Sequence, residues 1–360
     1  MTEDQFLPTE TYSSQLEGSV TVQSPSNIAL IKYWGKYGEQ LPKNASISFT
    51  LSNCHTKTTL KYKPKIGEDS VFEVYLDETL APNFKPKIEQ FFARIERYIP
   101  LVKEYDFIIE TTNSFPHSSG IASSASGMSA LAMCLVELEQ KLLSEPMSHE
   151  QGLQKASFLA RLGSGSAARS IEGPLVVWGK HPKIKGSSNL VGTLYPYEVH
   201  PVFQDYQNTI LLVETGEKQV SSTVGHNLMH DHPFSEQRFQ QANGNLSKLT
   251  PILKEGDVEA FINIVESEAL SLHAMMMTSN PYFILMKPNT LEIINRIWKY
   301  RRETGSHICF TLDAGANVHV LYLKNEKSEV LQFIQSELKI FCKEGKFIED
   351  RTGKGAKTLK

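Results

Sequence analysis

Alternating and helically spaced apolar residues divide the chain into predicted strands and helices. An apolar, β-branched run at residues 105–112 predicts a strand, and the apolar residues of 128–143 recur at helical spacing. Between them lies PHSSGIASSASG, residues 116–127, which is rich in glycine and serine. The pattern therefore predicts a strand, a tight loop and a helix, with the loop opening the helix.

Further elements follow from the same patterns. Strands are predicted at 19–23, 56–62, 71–76, 208–213 and on both sides of 313–317, and helices at 88–99, 150–162, 235–253, 258–277 and 287–302. The alternation at 56–62 and 71–76 is typical of antiparallel strands. A chain of 360 residues is long enough for about two domains, each able to bury its own core.

Polar segments suggest where these domains begin and end. We expect a flexible N-terminal extension over residues 1–17 and a flexible tail over 346–360, because both are polar and lack periodicity. Between these two ends, a polar, proline-containing stretch divides the chain into two regions. We therefore expect an N-terminal domain over 18–200 and a C-terminal domain over 201–345.

Composition and charge argue against several classes of protein. A net charge of −3 argues against general nucleic-acid binding. The acidic, polar N-terminus does not resemble a signal peptide, and nowhere do about 18 apolar residues run together. Four scattered cysteines lack a CxxC pair, and Cys134 and Cys309 lie in apolar runs, where buried thiols are expected. We expect a cytoplasmic protein that binds neither nucleic acid nor membrane.

The loop at 116–127 has the composition of an anion site. Gly120 and Gly127 permit tight backbone geometry, and serine hydroxyls accompany the free N–H groups of the first helical turn. These serines are Ser118, Ser119, Ser123, Ser124 and Ser126. A helix N-terminus of this kind suits phosphate, although no Gly-Lys-Ser/Thr closes the loop as in a Walker A motif. From the loop alone, a serine-rich linker that caps a helix is the alternative.

Two further segments carry groups suited to a polyphosphate or a carboxylate. Lys32, Tyr33 and Lys36 offer two positive charges and a hydroxyl donor, or they form the solvated end of a strand. GSGSAARS, residues 163–170, combines a flexible backbone with Arg169, whose guanidinium can bind carboxylate or phosphate at two points. As a lone motif, GSGS is more often a simple turn.

The second half of the chain adds an acid and a histidine cluster. Asp313 ends a predicted strand, where it can act as a general base or merely close a turn. Ser222 belongs to another hydroxyl-rich turn. His226, His230 and His232 invite a metal-site hypothesis, but no partner cluster accompanies them, and neutral or solvated histidines explain them as well. We assign no metal ligands.

Six motifs, in this order across almost the whole chain, closely resemble the diphosphomevalonate decarboxylase family. They are NIALIKYWGK, PHSSGIASSASG, GSGSAARS, VSST-x-G, LHAMMMTSNP and TLDAGAN. This family belongs to the superfamily of galactokinase, homoserine kinase, mevalonate kinase and phosphomevalonate kinase. NIALIKYWGK and DAGAN are the specific signals. The resemblance implies a two-domain α+β small-molecule kinase fold, an active site in the interdomain cleft and a homodimer.

The resemblance also implies an activity. ATP with Mg²⁺ would phosphorylate the tertiary 3-hydroxyl of mevalonate 5-diphosphate, and loss of phosphate and carbon dioxide would give isopentenyl diphosphate. Asp313 would deprotonate or orient the hydroxyl, Lys32 would stabilise charge, and Arg169 would clamp the substrate carboxylate. The positions that match diphosphate binding are Tyr33, Lys36, Ser164, Gly165, Ser166 and Ser222. Those that match ATP binding are Pro116, Ser118, Ser119, Gly120, Ile121, Ala122, Ser123, Ser124 and Ser126.

The chain departs from the family at three single positions and in the phosphate loop, where His117, Ser118 and Ser119 are more polar than the usual small apolar residues. Leu162, Ala168 and His226 stand where the family often has a polar or basic residue, a cysteine and a methionine. These differences bear on substrate tuning more than on the chemistry.

Alternative functions share the phosphate loop. A decarboxylase of the 5-phosphate, or a mevalonate-type kinase that stops after phosphorylation, would both keep it, but retention of Tyr33, Lys36 and the GSGS turn favours the diphosphate. A non-catalytic sensor of nucleotide or isoprenoid precursor is the remaining alternative. Retention of Asp313 and Lys32 argues against a sensor.

Overall fold

The structure, a computed structural model, describes residues 1–10, 12, 16–67, 71–116, 121–215 and 222–359. Its strands are β1 (Gly18–Ile31), β2 (Lys36–Tyr37), β3 (Leu41–Pro42), β4 (Ser46–Pro64), β5 (Phe72–Leu76), β6 (Thr79–Leu80), β7 (Tyr105–Asn113), β8 (Leu175–Trp178), β9 (Gly192–Leu194), β10 (Gln207–Leu211), β11 (Cys309–Thr311), β12 (Val318–Tyr322), β13 (Phe347–Arg351) and β14 (Lys357–Leu359). Its helices are α1 (Lys85–Ile95), α2 (Ser123–Leu142), α3 (His149–Gly163), α4 (Ser222–Asn227), α5 (Ser235–Glu255), α6 (Val258–Met277), α7 (Pro288–Thr304) and α8 (Lys327–Phe333).

In the described part of the chain, these strands and helices form a mixed α/β fold with two main sheets and a separate two-stranded sheet of β2 and β3. Within the described ranges, the larger sheet has the order β14-β1-β4-β7-β5-β6, and β8 and β9 extend it beside β4. The smaller sheet has the order β11-β12-β10-β13. The strand at 71–76 meets expectation only in part, because β5 pairs with β6 in antiparallel orientation but with β7 in parallel. The connection from β5 to β7 runs through β6 and α1, which is long enough for a parallel crossover.

The two long strands β1 and β4 each contribute residues to the hydrophobic cores of both halves of the molecule. Val20 and Val22, at the start of β1, belong to a core with α2 residues such as Leu131. Ile28 and Leu30, near its end, belong to a second core that includes residues of α5 and α6. The end of β1 therefore lies between the two halves, and Lys32 follows it directly.

Both termini are more ordered than the sequence suggests. The expectation of a flexible tail over 346–360 is wrong, because β13 pairs with β10 and β14 pairs with β1. A free strand edge supplies backbone hydrogen-bond partners that polar sequence can use without hydrophobic periodicity. The N-terminal extension is also anchored. Phe6 is buried and stacks on Phe158 with ring centroids 4.2 Å apart, and Glu3 binds Arg97 at 2.6 Å.

Replacing Phe6 by alanine is expected to lower the free energy of unfolding by about 1–3 kcal/mol. A buried Phe→Ala change costs about 3–5 kcal/mol, and local detachment of a terminal segment limits that cost. Limited proteolysis followed by mass spectrometry should show faster cleavage before residue 17. Leu7→Ala, at a more exposed neighbour, is the control; equal resistance of both variants to cleavage would contradict the anchoring.

The structure also bears on the expectations for the cysteines and for membrane-spanning segments. All four cysteines are buried with free thiols, which confirms the expectation for Cys134 and Cys309. Of the helices in the described ranges, none has the length and apolar character needed to cross a bilayer.

Candidate active site

A cavity of about 590 Å³ lies between the two halves and gathers most of the predicted site residues. Residues from the first half line one side, and residues from α4, α6 and the β11–β12 turn line the other. The predicted residues that line it are Lys32, Tyr33, Lys36, Ala122, Ser123, Ser124, Ser164, Gly165, Ser166, Arg169 and Asp313. A cavity therefore lies at the junction of the two halves, where the resemblance predicts the active site.

An ion pair between Lys32 and Asp313 joins the two sides of this cavity. Lys32 Nζ lies 3.0 Å from Asp313 Oδ1, although the residues are 281 positions apart. The Lys32 side chain is 1% exposed and the Asp313 side chain 25% exposed. Burial lowers the pKa of Lys32, and the nearby Asp313 carboxylate opposes that shift. A carboxylate that is accessible from the cavity thus lies beside a buried amine.

Buried polar groups fix the backbone of Lys32. Its N–H donates to Glu268 Oε2 at 2.9 Å, and its carbonyl accepts from Asn44 Nδ2 at 3.0 Å. Glu268 is fully buried in α6, where it also accepts from Asn245 Nδ2 at 2.7 Å and pairs with Arg238. Since a buried carboxylate needs such partners, this network holds the end of β1 rigidly against α6.

Asp313 is positioned from the other side by α6. His273 Nε2 lies 3.1 Å from the carbonyl oxygen of Asp313, so this nitrogen must carry the proton that it donates. Burial lowers the pKa of His273 to about 4, which keeps the ring neutral at ordinary pH. The Gly315 N–H also donates to that carbonyl at 2.7 Å. The turn is held through its backbone, and the carboxylate of Asp313 reaches the cavity.

Arg169 is buried with a preset orientation. Nε donates to Ser48 Oγ at 2.8 Å and Nη1 donates to Ser46 Oγ at 2.5 Å, while Asn27 Oδ1 lies 3.4 Å from Nε. Ser46 and Ser48 are two positions apart on β4, so both face the guanidinium. Burial lowers the pKa of Arg169 to about 10, and it stays charged at neutral pH. Among the described residues, Nη2 has no acceptor, and Arg169 lines the cavity.

Aromatic rings pack around Tyr33. Its ring lies 4.7 Å from Trp178 and 4.2 Å from His226, between centroids. Gly165 makes this packing feasible, because a Cβ there would lie 2.6 Å from Trp178 and 3.0 Å from the Tyr33 hydroxyl. Lys36 Nζ lies 3.1 Å from Gln40 Oε1 on the β2–β3 hairpin beside them. Burial lowers the pKa of Lys36.

A helix follows the predicted phosphate loop as expected, but it includes residues 123–127, which were expected to belong to the loop. α2 begins at Ser123, and Ala122 before it has a left-handed backbone with φ of 47°. Ser123 and Ser124 line the cavity, and Lys87 of α1 donates to Ser124 Oγ at 2.6 Å. The first N–H groups of a 20-residue helix and a lysine thus meet at one end of the cavity, an arrangement that attracts an anion.

Several predicted ligands do not line this cavity. Ser126 is fully buried and shares a 2.6 Å hydrogen bond with Thr56. Its hydroxyl therefore joins α2 to β4 and does not line the cavity. The Ile121 side chain is buried and Pro116 is exposed outside the cavity. Ser118, Ser119 and Gly120 lie outside the described residues. Ser222 starts α4, but its side chain also lies outside the described part.

The histidine cluster of the sequence does not converge. His226 accepts from the Gly35 N–H through Nδ1 at 3.0 Å. His232 instead accepts from the Phe234 N–H through Nδ1 at 3.1 Å and lies 3.0 Å from the Met275 carbonyl. Within the described ranges, no group of three His, Cys, Asp or Glu side chains could hold a metal ion.

Sequence reasoning missed several residues that build the site. They are Asn27, Ser46, Ser48, Lys87, Glu268 and His273. Glu268 carried a signal, because it falls on the apolar stripe of α6 between Val265 and Leu272 at helical spacing. Ser46 and Ser48 carried none, since alternation with Ile47 and Phe49 is equally typical of a solvated strand face.

Known protein families match both halves of the chain. The model described as the diphosphomevalonate decarboxylase-like N-terminal domain matches residues 24–189. The model described as the mevalonate 5-diphosphate decarboxylase C-terminal domain matches residues 209–359. Together they cover the residues that line the cavity.

Individual proteins are similar over nearly the whole chain. The diphosphomevalonate decarboxylase of Ganoderma lucidum is 29% identical over 333 residues, which are 87% of this chain and 80% of that protein. The structure of mevalonate diphosphate decarboxylase from Staphylococcus aureus has a TM-score of 0.81 at 26% identity, and the match covers 96% and 99% of the two chains. A structure described as MDDEF in complex with MVAPP, AMPPCP and magnesium has a TM-score of 0.80 at 28% identity, covering 96% and 100%.

Proposed function

This chain belongs to the diphosphomevalonate decarboxylase family, and on that premise we propose that it converts mevalonate 5-diphosphate and ATP to isopentenyl diphosphate, ADP, phosphate and carbon dioxide. The reaction proceeds through a 3-phosphorylated intermediate, because phosphate leaves far more readily than hydroxide. The observation that carries the proposal is the Lys32–Asp313 pair in the same cavity as Arg169.

Asp313 acts on the 3-hydroxyl. Its carboxylate is accessible from the cavity and its backbone is fixed, so it can accept or orient the hydroxyl proton during phosphoryl transfer. Lys32 stabilises the negative charge that develops beside its ammonium group during phosphoryl transfer. Arg169 then faces the substrate carboxylate with its Nη2 group and holds it until carbon dioxide departs.

ATP occupies the end of the cavity near α2. The helix N-terminus with Ser123, Ser124 and Lys87 binds the phosphates. The phosphates and the Ser123 hydroxyl, which lines the cavity, would hold Mg²⁺ there. When bound, the ion would offset the negative charge of the phosphates. The neighbouring apolar lining, which includes Val74, Leu76, Phe84, Ile88 and Ile109, suits the adenine ring.

The substrate diphosphate lies in the basic part of the cavity. Tyr33, Lys36 and the Ser164–Ser166 backbone line the cavity there, and Ser222 follows from the resemblance alone. A 5-phosphate would leave part of this basic end without a partner, and unpaired polar groups cost affinity. This supports the diphosphate over the monophosphate as the substrate.

We extend the proposal to a cytoplasmic homodimer. The family resemblance supports the dimer, and four buried free thiols fit a reducing compartment. Size-exclusion chromatography with light scattering tests the dimer, and a monomeric mass would contradict it.

Purified protein with ATP and Mg²⁺ is expected to release ADP and carbon dioxide in equal amounts, efficiently only from mevalonate 5-diphosphate. Mevalonate and its 5-phosphate serve as parallel substrates, and both products are measured in the same reaction. ADP without carbon dioxide would identify a kinase instead. Equal turnover of the 5-phosphate would identify the monophosphate decarboxylase.

A further inference from the structure

His226 is a buried histidine in the cavity at a position where the resemblance predicts no polar contact. It lies in α4, is 8% exposed and lines the cavity together with Tyr33 and Lys36. Its ring packs against Tyr33 with centroids 4.2 Å apart and against Trp34 with centroids 4.7 Å apart. Gly225 allows α4 to lie this close to Trp34, because a Cβ at this position would lie only 2.5 Å from the Trp34 ring.

One hydrogen bond fixes the tautomer of this ring. The Gly35 N–H donates to His226 Nδ1 at 3.0 Å, so Nδ1 carries no proton. Burial, with Lys36 and Arg169 nearby, lowers the pKa of His226 to about 3, so the ring is neutral at ordinary pH. A neutral imidazole with an acceptor at Nδ1 must carry its proton at Nε2.

The remaining edge of the ring faces the cavity. Tyr33 and Trp34 pack against the ring, and the Nδ1 edge is used by Gly35. The edge that contains Nε2 is therefore the part that lines the cavity, and no acceptor for Nε2 occurs among the described residues. This N–H lies in the basic part of the cavity, close enough to Lys36 and Arg169 for both to disfavour a charged ring.

We propose that His226 donates an Nε2–H hydrogen bond to the diphosphate of the substrate and so determines affinity for that end of the molecule. This inference rests on the proposed function, because it takes the diphosphate to lie between Tyr33, Lys36 and the Ser164–Ser166 turn. The neutral ring adds a directed donor beside Lys36 without adding a further buried charge. A thioether at this position could fill the same space but could not donate a hydrogen bond.

Two substitutions separate the substrate contact from the contact with Gly35. Asparagine places a carbonyl oxygen near the position of Nδ1 but ends before Nε2, so His226→Asn keeps the acceptor and loses the donor. Glutamine extends an amide N–H₂ towards the position of Nε2, so His226→Gln keeps the donor. His232→Asn is the matched control, because His232 is also buried but does not line the cavity.

Calorimetric titration of the full-length protein with inorganic diphosphate and with mevalonate 5-diphosphate tests the proposal. His226→Asn should weaken both ligands by about 5- to 30-fold, as expected for one hydrogen bond to a charged group. His226→Gln should recover most of that loss, while ATP affinity should stay unchanged in both variants. His232→Asn should bind inorganic diphosphate as the wild type does. In turnover, the Asn variant should raise KM for the substrate more than it lowers kcat.

Three outcomes would overturn the inference. Wild-type affinity in His226→Asn would remove the donor from the site. If His226→Gln bound diphosphate more weakly than His226→Asn, the histidine would serve only to accept from Gly35. Equal loss of affinity in both variants would mean that the ring acts only through its packing. Carbon dioxide release by the wild type is measured separately. A wild type that binds diphosphate through His226 but releases no carbon dioxide would overturn the proposed function and leave this contact standing.

Discussion

Asp313→Asn is expected to lower kcat by about 10²–10⁴ while KM for mevalonate 5-diphosphate changes little. An amide cannot accept the hydroxyl proton at neutral pH, and loss of a general base costs this range of rate. ADP and carbon dioxide should decrease together, because phosphorylation precedes decarboxylation. The groups proposed to bind the diphosphate lie elsewhere in the cavity and are unchanged.

The structure adds a second consequence of this substitution. Lys32 is 1% exposed and would lose its carboxylate partner, and an unpaired buried charge is costly. The ammonium of Lys32 should therefore lose its proton more readily than in the wild type. The variant enzyme would lack both the base and part of the adjacent positive charge.

A control must separate chemistry from folding. Asp350 is also buried, and it accepts from the N–H groups of Ser52, Asn53 and Cys54 at 2.8–2.9 Å, outside the cavity lining. Asp350→Asn should lower the melting temperature with kcat largely kept. Asp313→Asn that stays folded and retains more than about a tenth of wild-type kcat would leave too small a role for a base.

Arg169→Lys is expected to lower kcat/KM for the diphosphate substrate by about 10- to 100-fold. Lysine keeps the charge, but its single nitrogen cannot bind Ser46, Ser48 and a substrate carboxylate in one plane. A lost hydrogen bond to a charged group is worth about 1.5–3 kcal/mol, and about 1.4 kcal/mol corresponds to a factor of ten.

Steady-state kinetics in both substrates measures this effect. KM for ATP should change little, because the proposed phosphate contacts lie near α2. Ser46→Ala removes one anchor and leaves the guanidinium, so it should have a smaller effect than Arg169→Lys. Wild-type kinetics in Arg169→Lys would exclude Arg169 from substrate binding.

Local sequence patterns predicted most elements well. The predicted helix at 258–277 coincides with α6, because its apolar stripe is continuous to both ends. α2 begins at Ser123, five residues before the predicted helix at 128–143. The first turn has small residues without apolar periodicity. It is helical because Ala125 and Ser126 are buried, and Ser126 bonds to Thr56 of β4.

Polar residues were the main source of error. The alternation of Ser46 and Ser48 with apolar neighbours fits a solvated strand face, yet both serines are buried and bind Arg169. A polar terminus likewise fits disorder, yet residues 357–359 pair with β1. Periodicity reports which side chains differ in polarity. It does not report whether the polar side meets water or a buried charge.

The sequence by itself determined the residue types of the site, the strand–loop–helix at the phosphate end and the family resemblance, because these depend on local spacing. Only the tertiary structure decided that Lys32 meets Asp313 across 281 positions and that Ser126 turns away from the cavity. It also decided the tautomer of His226. The physical reason is that these contacts depend on strand register and on a core shared by both halves, which set distances that no local pattern contains.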